Sequence, residues 1–177
     1  MIETVERLNN QAIILAKDGS FKEAIACFAR AITIEKDNSL LWYNLALTYR
    51  DAGQLKEAKD ALFKAKDISP DDQEILEELS LVLFNAKEYD SALKQCMEGL
   101  FTNPENFRLW NTRGVIFFNK GDYNEACESF ENAVYLNPYY FDALFNLRDT
   151  YKELGNKIGE NECNIRLRDL KKNGDNL

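Results

Sequence analysis

The sequence predicts an all-α fold, a solenoid of stacked helix-turn-helix units that ends in a capping helix. Three observations carry this. A 34-residue period runs through nearly the whole chain: Gly19, Gly53, Gly121 and Gly155 share one register, with Lys87 on its remaining position. Trp42, Leu76, Trp110 and Leu144 share a second register, Ala24, Ala58, Ala92 and Ala126 a third, and Pro70, Pro104 and Pro138 a fourth. Registers of different chemistry with one common period in this range mark a stacked-repeat architecture. Within each period, two apolar patterns of helical spacing stand on either side of a short break. Finally, apolar residues make up 45% and charged residues 29% of the chain, the balance of a folded soluble protein. A solenoid buries its core between neighbouring repeats, so the 177 residues are expected to form one domain spanning 1–177.

The period sets the repeats at residues 5–38, 39–72, 73–106, 107–140 and 141–174. In the second repeat, Trp42, Leu45, Ala46 and Tyr49 fall on one face of a first helix, and Ala58, Leu62, Ala65 and Ile68 form the stripe of a second. Gly53 lies between them, where a helix end turns through positive φ at no cost to glycine. Lys87 in that position would cost about 1 kcal/mol relative to glycine, or else mark a differently shaped turn. The segments Ser69-Pro70-Asp71-Asp72, Asn103-Pro104-Glu105 and Asn137-Pro138 close one repeat and open the next. Proline disfavours helix in the residue before it but is tolerated in a first turn, where acidic groups suit the helix dipole. Lys36 replaces the first of these prolines.

Small residues recur where paired helices must approach closely: Ala12, Ala46, Ser80 and Gly114 in the first helices, Ala24, Ala58, Ala92 and Ala126 in the second. Arg148 and Glu160 break these two columns in the fifth repeat. That repeat keeps a first helix with Leu144, Leu147 and Tyr151, but its second carries only a narrow stripe of Cys163, Leu167 and Leu170 among polar residues. A terminal repeat needs one apolar face and one wet face, so 141–174 reads as a divergent capping repeat. At the other end, Leu8, Ala12 and Leu15 make a good first helix with nothing upstream to cover its outer side.

The run Trp42-x-x-Leu45-Ala46-x-x-Tyr49, followed by Gly53, Ala58, Ala65 and Pro70, closely resembles the tetratricopeptide-repeat signature. The fourth repeat carries it again in Trp110, Gly114, Phe117, Gly121, Tyr123, Ala126, Phe130, Ala133 and Pro138. The resemblance covers about residues 5–172. It implies a right-handed superhelical solenoid whose first helices line a concave groove, and it implies a protein or peptide as partner.

Composition and missing motifs narrow the function. The net charge is -8 with no basic run, which disfavours nucleic acid and anionic membranes as partners and favours apolar or basic ones. The opening residues lack a basic flank followed by an apolar core, and no apolar stretch of about 18 residues occurs, so no signal peptide or membrane span is visible and a cytoplasmic location is expected. Cys27, Cys96, Cys127 and Cys163 form no CxxC pair, which argues against a zinc module. Cys96 and Cys127 stand where other repeats carry Leu, Ile or Phe, and are read as buried small apolar residues. There is no histidine, phosphate loop, nucleophile elbow or HExxH. Glu77 and Glu78 adjoin each other but point apart on a helix and read as solvent-facing. No enzyme activity and no cofactor is expected.

Groove residues should be those of the first helices away from the buried stripe. One such column is Asn10, Asn44, Glu78, Thr112 and Asn146, with Asn111 beside it. A carboxamide offers both donor and acceptor, so a ladder of them can pair with the backbone of an extended peptide, although asparagine in this column is also explained by a role in the fold alone. Ile13, Leu47, Leu81 and Val115 form an apolar row below that ladder, extended by Phe84 and Phe118 and flanked by Tyr43 and Phe145. An apolar strip with a polar border is a common interaction surface; packing between successive first helices is the alternative for Leu47 and Leu81. Charges there lean acidic, with Glu74, Glu77, Glu78, Asp142 and Asp149 against Arg50, Arg108 and Lys152. The family's clamp for the C-terminal carboxylate of chaperones fails here, because Glu74 and Glu78 would stand where the clamp needs cations. Two functions follow: a scaffold or adaptor that binds a peptide segment in its groove, or a structural subunit, a homo-oligomer among the forms it could take, that docks by its ends and convex face.

Overall fold

The computed structural model describes residues 4–174. Ten α-helices and no strand occur among them, and the first helices of the five repeats begin at Val5, Ser39, Gln73, Phe107 and Phe141, each 34 residues after the last. The helices gather into two compact units that divide in sequence between Glu88 and Tyr89, inside the third repeat.

Unit 1 holds α1 (Val5–Lys17), α2 (Phe21–Ile34), α3 (Ser39–Asp51), α4 (Leu55–Ile68) and α5 (Gln73–Asn85). Each helix packs on the next, and α3 also touches α1. Leu8, Ala12, Phe28, Ala31, Leu41 and Leu45 form one buried cluster, with the Trp42 and Tyr49 rings against it. Unit 2 holds α6 (Tyr89–Thr102), α7 (Phe107–Lys120), α8 (Tyr123–Leu136), α9 (Phe141–Glu153) and α10 (Lys157–Gly174). Its core joins Phe130, Val134, Leu144, Leu147, Cys163 and Leu167. Burial of Cys163 and Leu167, with Leu170 packed beside them, gives α10 the single apolar stripe expected of it.

The starts of the first helices are set by a register that the proline and glycine columns conceal. Thr4, Asn38, Asp72 and Asn106 stand 34 residues apart, and each side chain accepts a hydrogen bond from a backbone N–H in the first turn of its helix. Such a cap is worth about 1 kcal/mol per helix. Tyr140 occupies the fifth position and has no side-chain cap bond; its ring lies edge-on to Phe107 with centroids 5.0 Å apart. A second shared device is the indole. Trp42 Nε1 donates to the Lys36 carbonyl and Trp110 Nε1 to the Pro104 carbonyl, both at 2.8 Å, so each ring ties the start of its helix to the preceding linker.

Lys87 adopts φ 61°, in the left-handed region with the glycine turns (70° to 83°), and is the only non-glycine with positive φ among the described residues. Its N–H donates to the Phe84 carbonyl at 2.8 Å and the Glu88 N–H to Leu83 at 2.9 Å, repeating the bonds from Gly53 to Arg50 and from Gln54 to Tyr49. The turn is therefore the same shape with a costlier residue in it. The fifth repeat also restores its close helix contact one residue from the expected place. Gly159, not Glu160, meets α9, and a Cβ on it would lie 2.6 Å from Cδ2 of Tyr151. Gly114 does the same within α7 and α8, where a Cβ would lie 2.6 Å from Cε1 of Phe130.

Candidate functional site

The first helices of each unit present a face of polar and apolar residues, and Ile13 in unit 1 and Val115 and Phe118 in unit 2 pack against the cores just described as well. In unit 1 this face belongs to α1, α3 and α5. Asn44 Nδ2 donates to Asn9 Oδ1 at 3.1 Å, joining α3 to α1, and the backbone carbonyl of Asn44 accepts from Thr48 at 2.9 Å. Unit 2 repeats the arrangement: Asn146 Nδ2 donates to Asn111 Oδ1 at 3.1 Å, and the Asn146 carbonyl accepts from Thr150 at 2.8 Å. Two of the ladder amides thus use one hydrogen between helices and keep the carbonyl oxygen and the second hydrogen. Asn9 escaped the column reading because its partner is 35 residues away, not 34.

Other members of the column differ. Asn10 is exposed on the flank of α1, beside Arg7, Gln11 and Ile14. Thr112 is buried, and its hydroxyl donates to the Arg108 carbonyl at 3.0 Å, which leaves little to offer a ligand. Glu78 is not solvent-facing as the sequence suggests; it is 8% exposed and its Oε1 forms an ion pair with Arg50 Nη1 at 2.7 Å. Arg50 is also held by Asp51 Oδ1 through Nε and Nη2 at 2.9 and 2.8 Å. The half-buried Tyr43 lies in the field of these acids. Burial, reinforced by Glu78 and Glu74, pushes its phenol up to about 12. A cavity of about 60 Å³ opens at Tyr43, Ser39, Leu40, Asp72, Glu74 and Ile75.

The apolar row is neither wholly buried nor wholly open. Ile13 and Leu47 are half-buried, as is Phe84, while Leu81 is exposed. In unit 2, Val115 and Phe118 are half-buried, and Phe118 sits edge-on to Tyr123 at 5.2 Å between centroids. Phe145 is exposed, with the Arg148 guanidinium 4.0 Å above its ring, a cation–π contact that accounts for a cation in a column of small residues. A cavity of about 90 Å³ lies among Val115, Phe118, Asn119, Phe130, Asn146 and Asp149. It brings three of the expected site residues together with Asn119, whose place no column of the sequence had singled out.

None of the four cysteines is in a disulfide. Cys96 is fully buried as expected, but Cys127 is half-buried with its Sγ 3.5 Å from Glu131 Oε1, the same oxygen to which the Tyr151 hydroxyl donates at 2.7 Å. Burial first, then Glu131, pushes the Cys127 thiol up to about 12, and burial also raises Cys163. Thiols held protonated in this way are poor nucleophiles and poor metal ligands. No helix among the described residues is long and apolar enough to cross a membrane.

Helical hairpins at a 34-residue interval, four of them capped by a side chain at the first helix and all five turned through a left-handed residue, define a helical-hairpin repeat protein. Tetratricopeptide-repeat family models match residues 15–76 and 107–140, together more than half of the sequence, and the chain belongs to the tetratricopeptide-repeat family. Membership places it among protein-interaction scaffolds. Its fold is similar to that of "MamA 41-end from Desulfovibrio magneticus RS-1", with a TM-score of 0.86 over 99% of both chains at 18% identity. A further MamA crystal structure gives a TM-score of 0.84, covering 94% of this chain and 97% of that one at 17% identity. YrrB, described as a TPR protein with an unusual peptide-binding site, gives 0.73 over 94% of this chain and 86% of that one at 22% identity. At these identities the likeness speaks for the fold alone. No curated protein matches the sequence.

Proposed function

We propose that this chain is a non-enzymatic scaffold whose first-helix faces bind an extended peptide segment of a partner protein, apolar or basic in character. The observation that carries the reading is the repeated amide pair. Asn44 donates to Asn9 in unit 1 as Asn146 donates to Asn111 in unit 2, and each donor amide keeps its own acceptor oxygen outside that bond. An oriented amide can accept from a peptide N–H without the cost of being ordered on binding. Beside these amides lie half-buried apolar side chains, Leu47 in unit 1 and Val115 and Phe118 in unit 2. Acidic Glu74 and Glu77 on α5, with a chain charge of -8, favour a basic segment over an acidic one. The peptide-binding site named for YrrB is in keeping with such a surface on this fold.

The test is capture of a partner peptide by the full chain and by a triple variant, Asn44→Ala, Asn146→Ala and Phe118→Asp. Loss of capture in a variant that keeps its helical circular dichroism supports the groove; undiminished capture rules it out. A second reading, self-association through the second helices, is favoured by Phe101 and Tyr135, 88% and 81% exposed at matching positions of α6 and α8. Light scattering over a range of concentrations separates the two, since a strict monomer that binds peptide excludes self-association.

A further inference from the structure

The cavity among α7, α8 and α9 has a lining that specifies what can enter it. Its most buried lining residue is Phe130, 1% exposed, and the half-buried Val115 and Phe118 line it with Phe130. Asn119, Asn146 and Asp149 complete the lining, and each is already engaged on one side. Asn119 Nδ2 donates to the Val115 carbonyl at 2.8 Å, and Asn146 Nδ2 to Asn111 at 3.1 Å. Asp149 Oδ1 accepts from Arg148 Nε and Nη2 at 2.9 and 2.6 Å. These bonds leave three oxygens, Oδ1 of each asparagine and Oδ2 of the aspartate, against one remaining N–H on each amide, so the polar part is weighted toward acceptors.

Two further constraints come from charge and size. The Arg148 guanidinium neutralises Asp149 at contact distance, so a cationic side chain would meet a cation beside the one carboxylate it could use. A neutral donor such as a backbone N–H suits the oxygens better. The cavity volume is about 90 Å³, roughly three waters' share of liquid and well below the ~150 Å³ that accommodates a benzene ring. That space favours a branched aliphatic side chain over the larger aromatic rings.

The same positions two repeats earlier, in unit 1, are occupied differently. Arg50 stands for Phe118, Asp51 for Asn119 and Glu78 for Asn146, and there the Arg50 guanidinium lies against both acids, 2.7 Å from Glu78 and 2.8 Å from Asp51. In unit 1 an arginine held by two acids stands at this position. In unit 2 a phenyl ring stands there and lines a cavity.

The geometry points to an anchor pocket in unit 2 for one branched aliphatic side chain of an extended peptide, with the adjoining peptide N–H donating to the acceptors around Asn146. The assignment rests on the reading that the first-helix faces bind peptide, and it names the residue class that this part of the face selects.

Acetylated, amidated octapeptide pools test it, with neutral randomised flanks and one central position fixed as Ala, Val, Leu, Ile, Phe, Trp or Lys. Binding to the full chain is followed by fluorescence anisotropy. The Val, Leu or Ile pools are expected to bind about tenfold or more tighter than the Ala, Phe, Trp and Lys pools, the discrimination a shaped apolar pocket provides. Their binding should shift the Val115 methyl resonances. In Phe118→Ala the wider pocket should favour Phe over Leu, and in Val115→Phe the filled pocket should erase the aliphatic preference, with circular dichroism reporting that both variants remain folded. Equal affinity for all pools, a preference for Phe, Trp or Lys in the native chain, or unmoved Val115 signals would overturn the anchor while leaving peptide binding standing. Failure of every pool to bind would overturn the peptide-binding reading as well.

Discussion

Asn146 donates its side-chain amide to Asn111 at 3.1 Å, and the bond joins two successive first helices of unit 2 in the manner that Asn44 and Asn9 join two of unit 1. The pair holds together a surface amide and its neighbour, and so has consequences for both stability and recognition. Asn111→Ala removes the acceptor while leaving Asn146 in place. It is expected to lower the unfolding free energy by about 1 kcal/mol and to weaken peptide affinity several-fold. Urea unfolding and a titration with one fixed peptide measure the two effects; a loss of stability with unchanged affinity would show that the pair is only a joint.

Lys87 gives a gain-of-stability prediction. It holds the left-handed conformation that glycine holds in four sister turns, so Lys87→Gly should raise the unfolding free energy by about 1 kcal/mol. Gly53→Lys should lower it by a similar amount, since nothing lies within 4 Å of a Cβ built there and the penalty is conformational. Equal stabilities in urea for Lys87→Gly and the parent would show that the strain is relieved elsewhere.

Close packing at Gly114 makes a steric prediction. A methyl there would meet three atoms of the Phe130 ring at 2.6 to 2.9 Å. Gly114→Ala should therefore destabilise by about 1 to 3 kcal/mol, and adding Phe130→Leu should recover part of the loss by making room. If the double variant is as unstable as the sum of its single changes, the clash is not the cause.

Arg50 and Glu78 should respond unequally to truncation. Glu78→Ala leaves Arg50 with Asp51 as its partner, whereas Arg50→Ala leaves a carboxylate that is 8% exposed without its cation. Removing the arginine is expected to cost more, by roughly 1 to 2 kcal/mol, because an uncompensated buried charge is the greater penalty. Thermal melts of the two variants decide the order.

Alkaline pH should weaken the fold. Cys127 and Tyr43 are neutral when protonated, and burial raises both above their ordinary values of 9.0 and 10.0 to about 12. The unfolded chain therefore loses these protons first, and stability falls as pH rises from about 9 toward about 12, with no contribution from either group below that window. Cys127→Ala should flatten the part of this decline that begins lowest. The slope of urea midpoint against pH measures it. At neutral pH, alkylation of Cys127 in the folded chain should be much slower than in urea, as judged by peptide mass mapping.

The fold was legible because its determinants repeat in the sequence at one interval. First helices begin at Val5, Ser39, Gln73, Phe107 and Phe141, the positions the period assigns to the repeats. The site was less legible because its contacts run diagonally between columns. The amide pairs connect residues 35 apart, and the Arg50 to Glu78 pair links residues 28 apart, so a reading at intervals of 34 places each residue without revealing its partner. Glu78 looked solvated because its like-charged neighbour was visible in the sequence and its arginine was not. In the last repeat, where the columns lapse, Glu160 marks the expected close contact and Gly159 makes it.

The two tryptophans, one in each unit, have their indole N–H groups fixed on a linker carbonyl at 2.8 Å. They are the only two in the chain. Their fluorescence consequently offers an optical signal for each half of the molecule. Replacing one indole by phenylalanine would make the emission of the other a private record of its own unit's unfolding, and the two traces together would distinguish a chain that melts as one body from a chain that melts in halves.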